Sequence, residues 1–127
     1  MSTRLLFVDP DRTLLDVYCA YFGHFGFQSL TAAVLETAKK HILDRNIDVV
    51  MLEPVLPGDG ANRILRMIAS HTRQRPLPVV VVSRRSQYSL AFPIHAYHVK
   101  PVAMSELLDS IMGAASRVRE DRDMMPG

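Results

Sequence analysis

Four side chains that could take part in chemistry each follow an apolar run of the sequence. Asp9 comes after RLLFV, Glu53 after IDVVML, Ser83 after LPVVVV and Lys100 after AYHV. If these runs are parallel strands, their carboxyl ends meet at one edge of a sheet, where two carboxylates, a hydroxyl and an ammonium group face each other. A buried Lys100 without an acidic partner would be costly, which explains a charged Glu53 at the end of an apolar run. The pattern therefore predicts an ion-paired site at that edge.

The elements that would position these residues alternate between two hydrophobic patterns. Short runs rich in Val, Leu and Phe are typical of strands covered on both faces, and apolar residues at helical spacing predict amphipathic helices between them. Asp11 is a candidate N-cap of the first helix. Five strands and about five helices in alternation predict an α/β domain with a doubly wound parallel sheet and helices on both faces. The predicted strands are 4–8, 27–31, 47–52, 77–83 and 96–100, and the clearest helices are 13–26, 33–46, 61–71 and 104–118.

Length and composition fit a single soluble domain. The chain has 127 residues, 48% of them hydrophobic and 22% charged, which is near the globular average. We expect a domain at 1–118 and a charged tail at 119–127 that is disordered or begins a linker. The formal charge of +2 is too small to argue for direct nucleic-acid binding. A single cysteine, no signal-peptide pattern and no run near the ~18 apolar residues of a membrane span predict a cytoplasmic protein without a membrane partner.

Four motifs in order along the chain resemble the receiver domain of two-component response regulators, from about Arg4 to Met112. LLFVDPD resembles the acidic cluster after the first strand, and DVVMLEPVLPGDG resembles the phosphoacceptor strand and its loop. VVVVS resembles the fourth strand with its hydroxyl, and YHVKP the fifth strand with its aromatic, lysine and proline. The resemblance implies a flavodoxin-like five-stranded sheet in the order 2-1-3-4-5 and a role in two-component phosphorelay signalling.

The resemblance also implies a role for each site residue. In the family an acceptor aspartate takes a phosphoryl group from phosphohistidine or a small phosphodonor, and a bound Mg²⁺ offsets the charge that develops. The product phosphate then draws in the lysine and the loop after the fourth strand, which lets the aromatic side chain turn inward. The corresponding residues are the acceptor equivalent Glu53, the acidic-pocket residues Asp9 and Asp11, and the phosphate-pocket or switch equivalents Ser83, Tyr97, Lys100 and Pro101.

The sequence departs from this pattern at the acceptor and metal positions. Glu53 is one methylene longer than aspartate, at a site where positioning supplies most of the catalysis. Pro10 replaces the metal-binding acid, and Asp11 is displaced by one residue. We therefore expect no metal, or only weak Mg²⁺ binding through Asp9 and Glu53, because Mg²⁺ demands a fixed octahedral set of oxygens. Arg84, where the family has a small residue, is predicted to cover the pocket and pair with Glu53 or Asp9.

The segment between Ser83 and Lys100 is shorter than in the family. It contains Pro93 and little helical periodicity, and proline disfavours a helix through that point. We predict that the fourth helix is shortened or replaced by a loop on the surface that the family uses for signalling. His95 and His98 in this region are predicted to face opposite sides of a strand, so no metal site is expected there.

Each role has a simpler structural alternative. Glu53 and Lys100 could be an ion pair left in a retired site. Ser83 could cap the turn that follows it. Tyr97 could be a packed aromatic residue at the edge of the sheet.

These observations predict a non-enzymatic, phosphorylation-independent receiver-like module that signals by protein–protein contact. Its partners would be a sensor kinase, an effector domain or a downstream target, with a homodimer also open. A second hypothesis is a working Mg²⁺-dependent phosphoacceptor that uses an unorthodox acid such as Glu53 or Asp59. A third is a flavodoxin-like small-ligand binder, which the lack of a glycine-rich phosphate-binding motif in the sequence disfavours.

Overall fold

The computed structural model contains five parallel strands in one sheet, in the order β2-β1-β3-β4-β5. It describes residues 2–44, 46–70 and 77–124, with side chains up to Val118. The strand order confirms the predicted flavodoxin-like topology. The strands are β1 (Arg4–Val8), β2 (Gln28–Ala32), β3 (Val49–Leu52), β4 (Val79–Ser83) and β5 (Ala96–Val99). The helices are α1 (Arg12–His24), α2 (Leu35–Asp44), α3 (Gly60–Ser70) and α4 (Met104–Met124), with a 3₁₀ turn at Pro57–Asp59.

Helices cover both faces of the sheet because successive strand residues point to opposite sides and both sides are apolar. Leu6 and Val81 belong to the core beneath α2 and α3. Phe7 and Val80 belong to the core beneath α1 and α4. The two cores hold the central strands in place, and thereby fix the positions of the residues that follow each strand.

α1 begins one residue before its predicted start at 13 and ends two residues before its predicted end at 26. The Asp11 carboxylate accepts a hydrogen bond from the backbone N–H of Leu14 at 3.1 Å, which confirms Asp11 as the N-cap. The helix ends just before Gly26, whose φ of +86° lies in the left-handed region that favours glycine.

Residues 84–95, called here the connecting segment, form no helix between β4 and β5. This confirms that the fourth helix of the family pattern is replaced by a loop. Three alternating residues of the segment, Leu90, Phe92 and Ile94, pack against the core beneath α2 and α3. An irregular stretch with several bends thus covers the sheet where a helix would otherwise lie.

Asn62 of α3 attaches the connecting segment to the body of the domain. Its side-chain Nδ2 donates to the Ser89 carbonyl oxygen at 3.1 Å, and its Oδ1 accepts the backbone N–H of Ala91 at 2.8 Å. The amide group therefore satisfies two backbone groups that a helix would have satisfied internally.

The prediction that His95 and His98 face opposite sides is wrong. His98 Nε2 lies 2.7 Å from Ser110 Oγ on α4. A Cβ on Gly113, also on α4, would lie 3.6 Å from His95 Nε2. His95 precedes β5, so strand alternation does not apply to it, and both rings lie against the same helix.

The domain boundary expected at 118 lies within α4 and stays a prediction. The backbone of α4 continues to Met124, and residues 125–127 of the expected tail lie outside the described residues. Among the described residues, no helix is both long and apolar enough to cross a membrane.

Candidate functional site

The register of the sheet brings the residues after β1 and β3 together. Val8 is paired with Leu52, so the next residues, Asp9 and Glu53, lie side by side at the carboxyl edge. The backbone N–H of Glu53 donates to the Val8 carbonyl oxygen at 2.9 Å, which continues the ladder to the site. Both acids are only 3% exposed.

Lys100 lies between these two carboxylates. Its Nζ donates to Asp9 Oδ2 at 2.7 Å and to Glu53 Oε1 at 3.3 Å. The Lys100 side chain is 23% exposed, against 4% for Asp9 and 2% for Glu53, so the ammonium closes the site on its solvent side. Two carboxylates facing one ammonium leave a local charge of about −1 when all three groups are ionised.

Backbone amides complete the coordination of the carboxylates. Asp9 Oδ1 accepts the N–H of Asp11 at 2.8 Å. Glu53 Oε2 accepts the N–H of Val55 at 3.1 Å, and Glu53 Oε1 accepts the N–H of Arg84 at 3.0 Å. All four oxygens therefore have a donor, as buried charges require.

Arg84 and Asp11 do not act as their sequence positions suggested. Arg84 is exposed, and among the described residues its guanidinium forms no ion pair with Glu53 or Asp9. Its backbone N–H makes the contact instead. Asp11 is also exposed, and its carboxylate caps α1 rather than reaching Lys100.

Ser83 is fully buried and caps the turn that follows it. Its Oγ accepts the N–H of Arg85 at 3.0 Å. Its carbonyl oxygen accepts the N–H of Lys100 at 2.7 Å, so Ser83 also fixes the position of the Lys100 backbone. This geometry matches the simpler alternative for Ser83, a turn cap.

Tyr97 connects β5 to the start of the connecting segment. Its hydroxyl donates to the Arg85 carbonyl oxygen at 2.8 Å, and its half-buried ring packs against the core beneath α2 and α3. Pro101 follows Lys100 through a cis peptide bond. Ser83, Tyr97, Lys100 and Pro101 therefore lie in or directly after β4 and β5. Asp9 and Glu53 follow β1 and β3 at the same edge of the sheet.

Tyr18 of α1 is a buried phenol within the electrostatic influence of the site. Burial raises the pKa of Tyr18 above its ordinary value, and the charges of Asp9 and Glu53 raise it further. Its position at helical spacing marked it only as a core residue. Asn62 and the Arg84 amide were likewise missed, because a side-chain clamp and a backbone donor leave no signal in residue type.

The residues at this edge do not fit the Mg²⁺ that the family pattern implies. Both carboxylates already face the Lys100 ammonium, and Pro10 offers no side-chain oxygen. No group of three or more His, Cys, Asp or Glu residues in the described parts of the chain is arranged to hold a metal ion. Mg²⁺ at this edge would compete with Lys100 for Asp9 Oδ2 and Glu53 Oε1 and would lack an acid at position 10.

Comparison with known proteins gives relatives of one kind, although no family model matches the chain. It is 23% identical over 123 residues to the phosphate regulon transcriptional regulatory protein PhoB of Klebsiella pneumoniae, covering 93% of this chain and 54% of that protein. The chain spans about half the length of the curated bacterial relatives it matches.

Solved structures share the fold over nearly the whole chain. A response regulator receiver domain protein (CheY-like) from Methanospirillum hungatei JF-1 is 21% identical, with a TM-score of 0.84, and the match covers 95% of this chain and 99% of that one. The signal receiver domain of a putative Luxo repressor protein from Vibrio parahaemolyticus is 17% identical, with a TM-score of 0.88 and full coverage of both chains.

Proposed function

We propose that this chain, a receiver domain of the response-regulator type, signals through protein contacts and does so without being phosphorylated. Receiver domains work with sensor kinases and effector domains in two-component systems, and we place this chain in that setting. The observation that carries the proposal is the Glu53 carboxylate, which joins Lys100 to the backbone of Arg84.

Glu53 makes from its own side chain the contacts that the resemblance assigns to a phosphoryl group. Its Oε1 accepts from Lys100 Nζ at 3.3 Å and from the Arg84 N–H at 3.0 Å. The longer glutamate carries the carboxylate toward the place where a phosphate on aspartate would lie. The carboxylate has a charge of about −1, against about −1.5 to −2 for a phosphoryl group, so Glu53 reproduces only part of the phosphoryl charge.

The loop after β4 is held at the same time. Glu53 binds the Arg84 amide, Ser83 Oγ binds the Arg85 amide, and the Tyr97 hydroxyl binds the Arg85 carbonyl oxygen. In the family pattern, phosphate draws this loop and its aromatic residue inward. We infer that here the unmodified carboxylate maintains that arrangement permanently.

The same contacts disfavour a working phosphoacceptor. An acceptor carboxylate must present an oxygen to the phosphodonor, whereas hydrogen bonds to both oxygens hold the Glu53 carboxylate toward Lys100 and two backbone amides. Asp59, the other candidate acid, accepts a hydrogen bond from Asn62 Nδ2 at 3.0 Å. Neither acid therefore stands free beside Lys100 as an acceptor would.

Intact-protein mass spectrometry after incubation with phosphoramidate or acetyl phosphate, with and without Mg²⁺, tests the proposal. The expected result is no added phosphate. The double variant Pro10→Asp/Glu53→Asp restores both family residues and serves as the control able to accept phosphate. A Mg²⁺-dependent gain of one phosphate in the wild-type protein would overturn the proposal, and mapping that phosphate would name the acceptor.

A further inference from the structure

One continuous part of the sequence contains basic residues and no acidic ones. Between Gly60 and Ser105 there are seven arginine and lysine residues and no aspartate or glutamate, although the whole chain has 13 acidic residues. This part contains α3, β4, the connecting segment and β5. α3 and the connecting segment pack against the same core, so they lie on the same face of the sheet.

Four exposed arginines of this region lie on the connecting segment or on the helix that is attached to it. Arg84 and Arg85 begin it, and Arg63 and Arg66 lie on α3, to which Asn62 attaches it. The ion pairs found among the described residues are both made by Lys100, so none of the four arginines is neutralised in that part of the chain. Within the described parts of the chain, these four arginines therefore add positive charge to the face without an ion-pair partner.

A groove lies beside Arg85 on this face. It is lined by Ser86, Gln87, Tyr88, Ser89 and Tyr97. These side chains carry hydroxyl and amide groups that can donate and accept hydrogen bonds. The Arg85 guanidinium lies 5.8 Å from the centre of the Tyr88 ring, which holds the cation at the groove.

The groove is organised before any ligand arrives. Asn62 binds the backbone on either side of Leu90, and the Tyr97 hydroxyl binds the carbonyl oxygen of Arg85. Leu90, between the two backbone groups that Asn62 binds, packs against the core beneath α2 and α3. A ligand would therefore not have to order the segment, which removes one cost of binding.

We propose that this groove, lined by residues 86–89 and Tyr97 and preceded along the chain by Arg84 and Arg85, binds an acidic segment of a partner protein. Arginine side chains bind carboxylates through two parallel hydrogen bonds, and the groove hydroxyls offer further donors. A protein segment is favoured over a nucleic acid because the proposed function acts through protein contacts and the formal charge of the whole chain is only +2. This inference deepens the proposed function by naming the chemistry of its partner.

Fluorescence anisotropy with a labelled glutamate-rich peptide tests the inference on the unphosphorylated full chain. A lysine-rich peptide of equal length and a single-stranded oligonucleotide are the comparison probes. We expect binding of the glutamate-rich peptide that weakens as salt is raised, with NMR amide shifts at residues 84–91 and Tyr97. The double variant Arg84→Glu/Arg85→Glu should bind about tenfold or more weakly, while Arg85→Lys should retain most of the affinity.

The matched control is Lys39→Glu/Lys40→Glu on α2, which changes the net charge equally and should keep the affinity. Thermal melts of each variant show that it is folded. Failure of the glutamate-rich peptide to bind, an equal loss in the control, or tighter binding of the oligonucleotide would overturn the inference. Phosphorylation is read separately by intact mass, so a phosphorylated chain that still binds the peptide contradicts only the proposed function.

Discussion

Glu53 Oε1 lies 3.0 Å from the backbone nitrogen of Arg84, so the residue after β3 is hydrogen-bonded to the residue after β4. The same oxygen faces Lys100, the residue after β5. One carboxylate therefore ties three strand ends together. Removing the Glu53 carboxylate should therefore disturb both the charge balance of the site and the position of the loop after β4.

Lys100→Met should be more destabilising than removal of either acid. It leaves Asp9 and Glu53, each 3% exposed, without a countercharge, and breaking a buried pair in this way costs about 3–5 kcal/mol. Urea denaturation measures the loss. The double variant Lys100→Met/Glu53→Gln should recover part of it, and a double variant no more stable than Lys100→Met would contradict the assignment of the cost to buried charge.

Glu53→Gln should loosen the loop after β4. The amide cannot accept from both the Val55 and Arg84 N–H groups, so one buried donor loses its partner at a cost of about 1–3 kcal/mol. Hydrogen exchange of the Arg84 amide should accelerate. Glu36→Gln, an exposed change in the first turn of α2, is the control, and equal exchange rates at Arg84 in both variants would refute the link.

Tyr97→Phe should free the start of the connecting segment with a small effect on global stability. The lost hydrogen bond, from the hydroxyl to the Arg85 carbonyl oxygen, is partly exposed and contributes about 0.5–1.5 kcal/mol. Tyr88→Phe keeps the ring beside Arg85 and removes a hydroxyl that lines the groove, so it is the matched variant. Faster hydrogen exchange near residue 85 is expected in the first variant only.

Asn62→Ala should detach the middle of the connecting segment. It removes the hydrogen bonds to Ser89 and Ala91 and the one to Asp59, for an expected loss of about 1–3 kcal/mol. Amide exchange at Ala91 should rise sharply. Arg66→Ala, one turn further along the same exposed side of α3, should leave that amide protected.

His95 should make the domain less stable in mild acid. Burial lowers the pKa of His95 from its ordinary value of 6.5, and Arg117 lowers it further. Because the unfolded chain then binds the proton more readily, stability is full above pH 6.5 and falls as pH drops from there toward the folded-state pKa. Denaturation curves at pH 7.5 and pH 5.5 should differ less for His95→Gln than for the wild type, and an unchanged difference would contradict this role.

The strand ends of the site were predictable because they depend on residue type and order. An apolar run followed by Asp9, and another followed by Glu53, suffice to place both acids at one edge once the sheet is parallel. The N-cap role of Asp11 follows from the same local chemistry, as does the loss of the fourth helix around Pro93.

The partners of individual atoms were not predictable in the same way. The sequence favoured the Arg84 guanidinium over its backbone N–H, because only the side chain is visible in residue type. The orientation of the His95 side chain was predicted from strand alternation, but residue His95 lies in a bend before β5 begins. Asn62 gave no signal, since its contacts lie 27 and 29 residues away along the chain.

Because the connecting segment is not a helix, this surface moves in a different way. A helix satisfies its own backbone groups, so it can slide or rotate as a rigid body while remaining intact. The connecting segment instead borrows hydrogen bonds from Asn62, Glu53 and Tyr97. These partners all lie outside the segment, so its release would leave backbone groups without them, and we expect release to proceed by local unfolding. Any regulation of this face would then act as an order–disorder transition, with a partner binding only while the segment is attached.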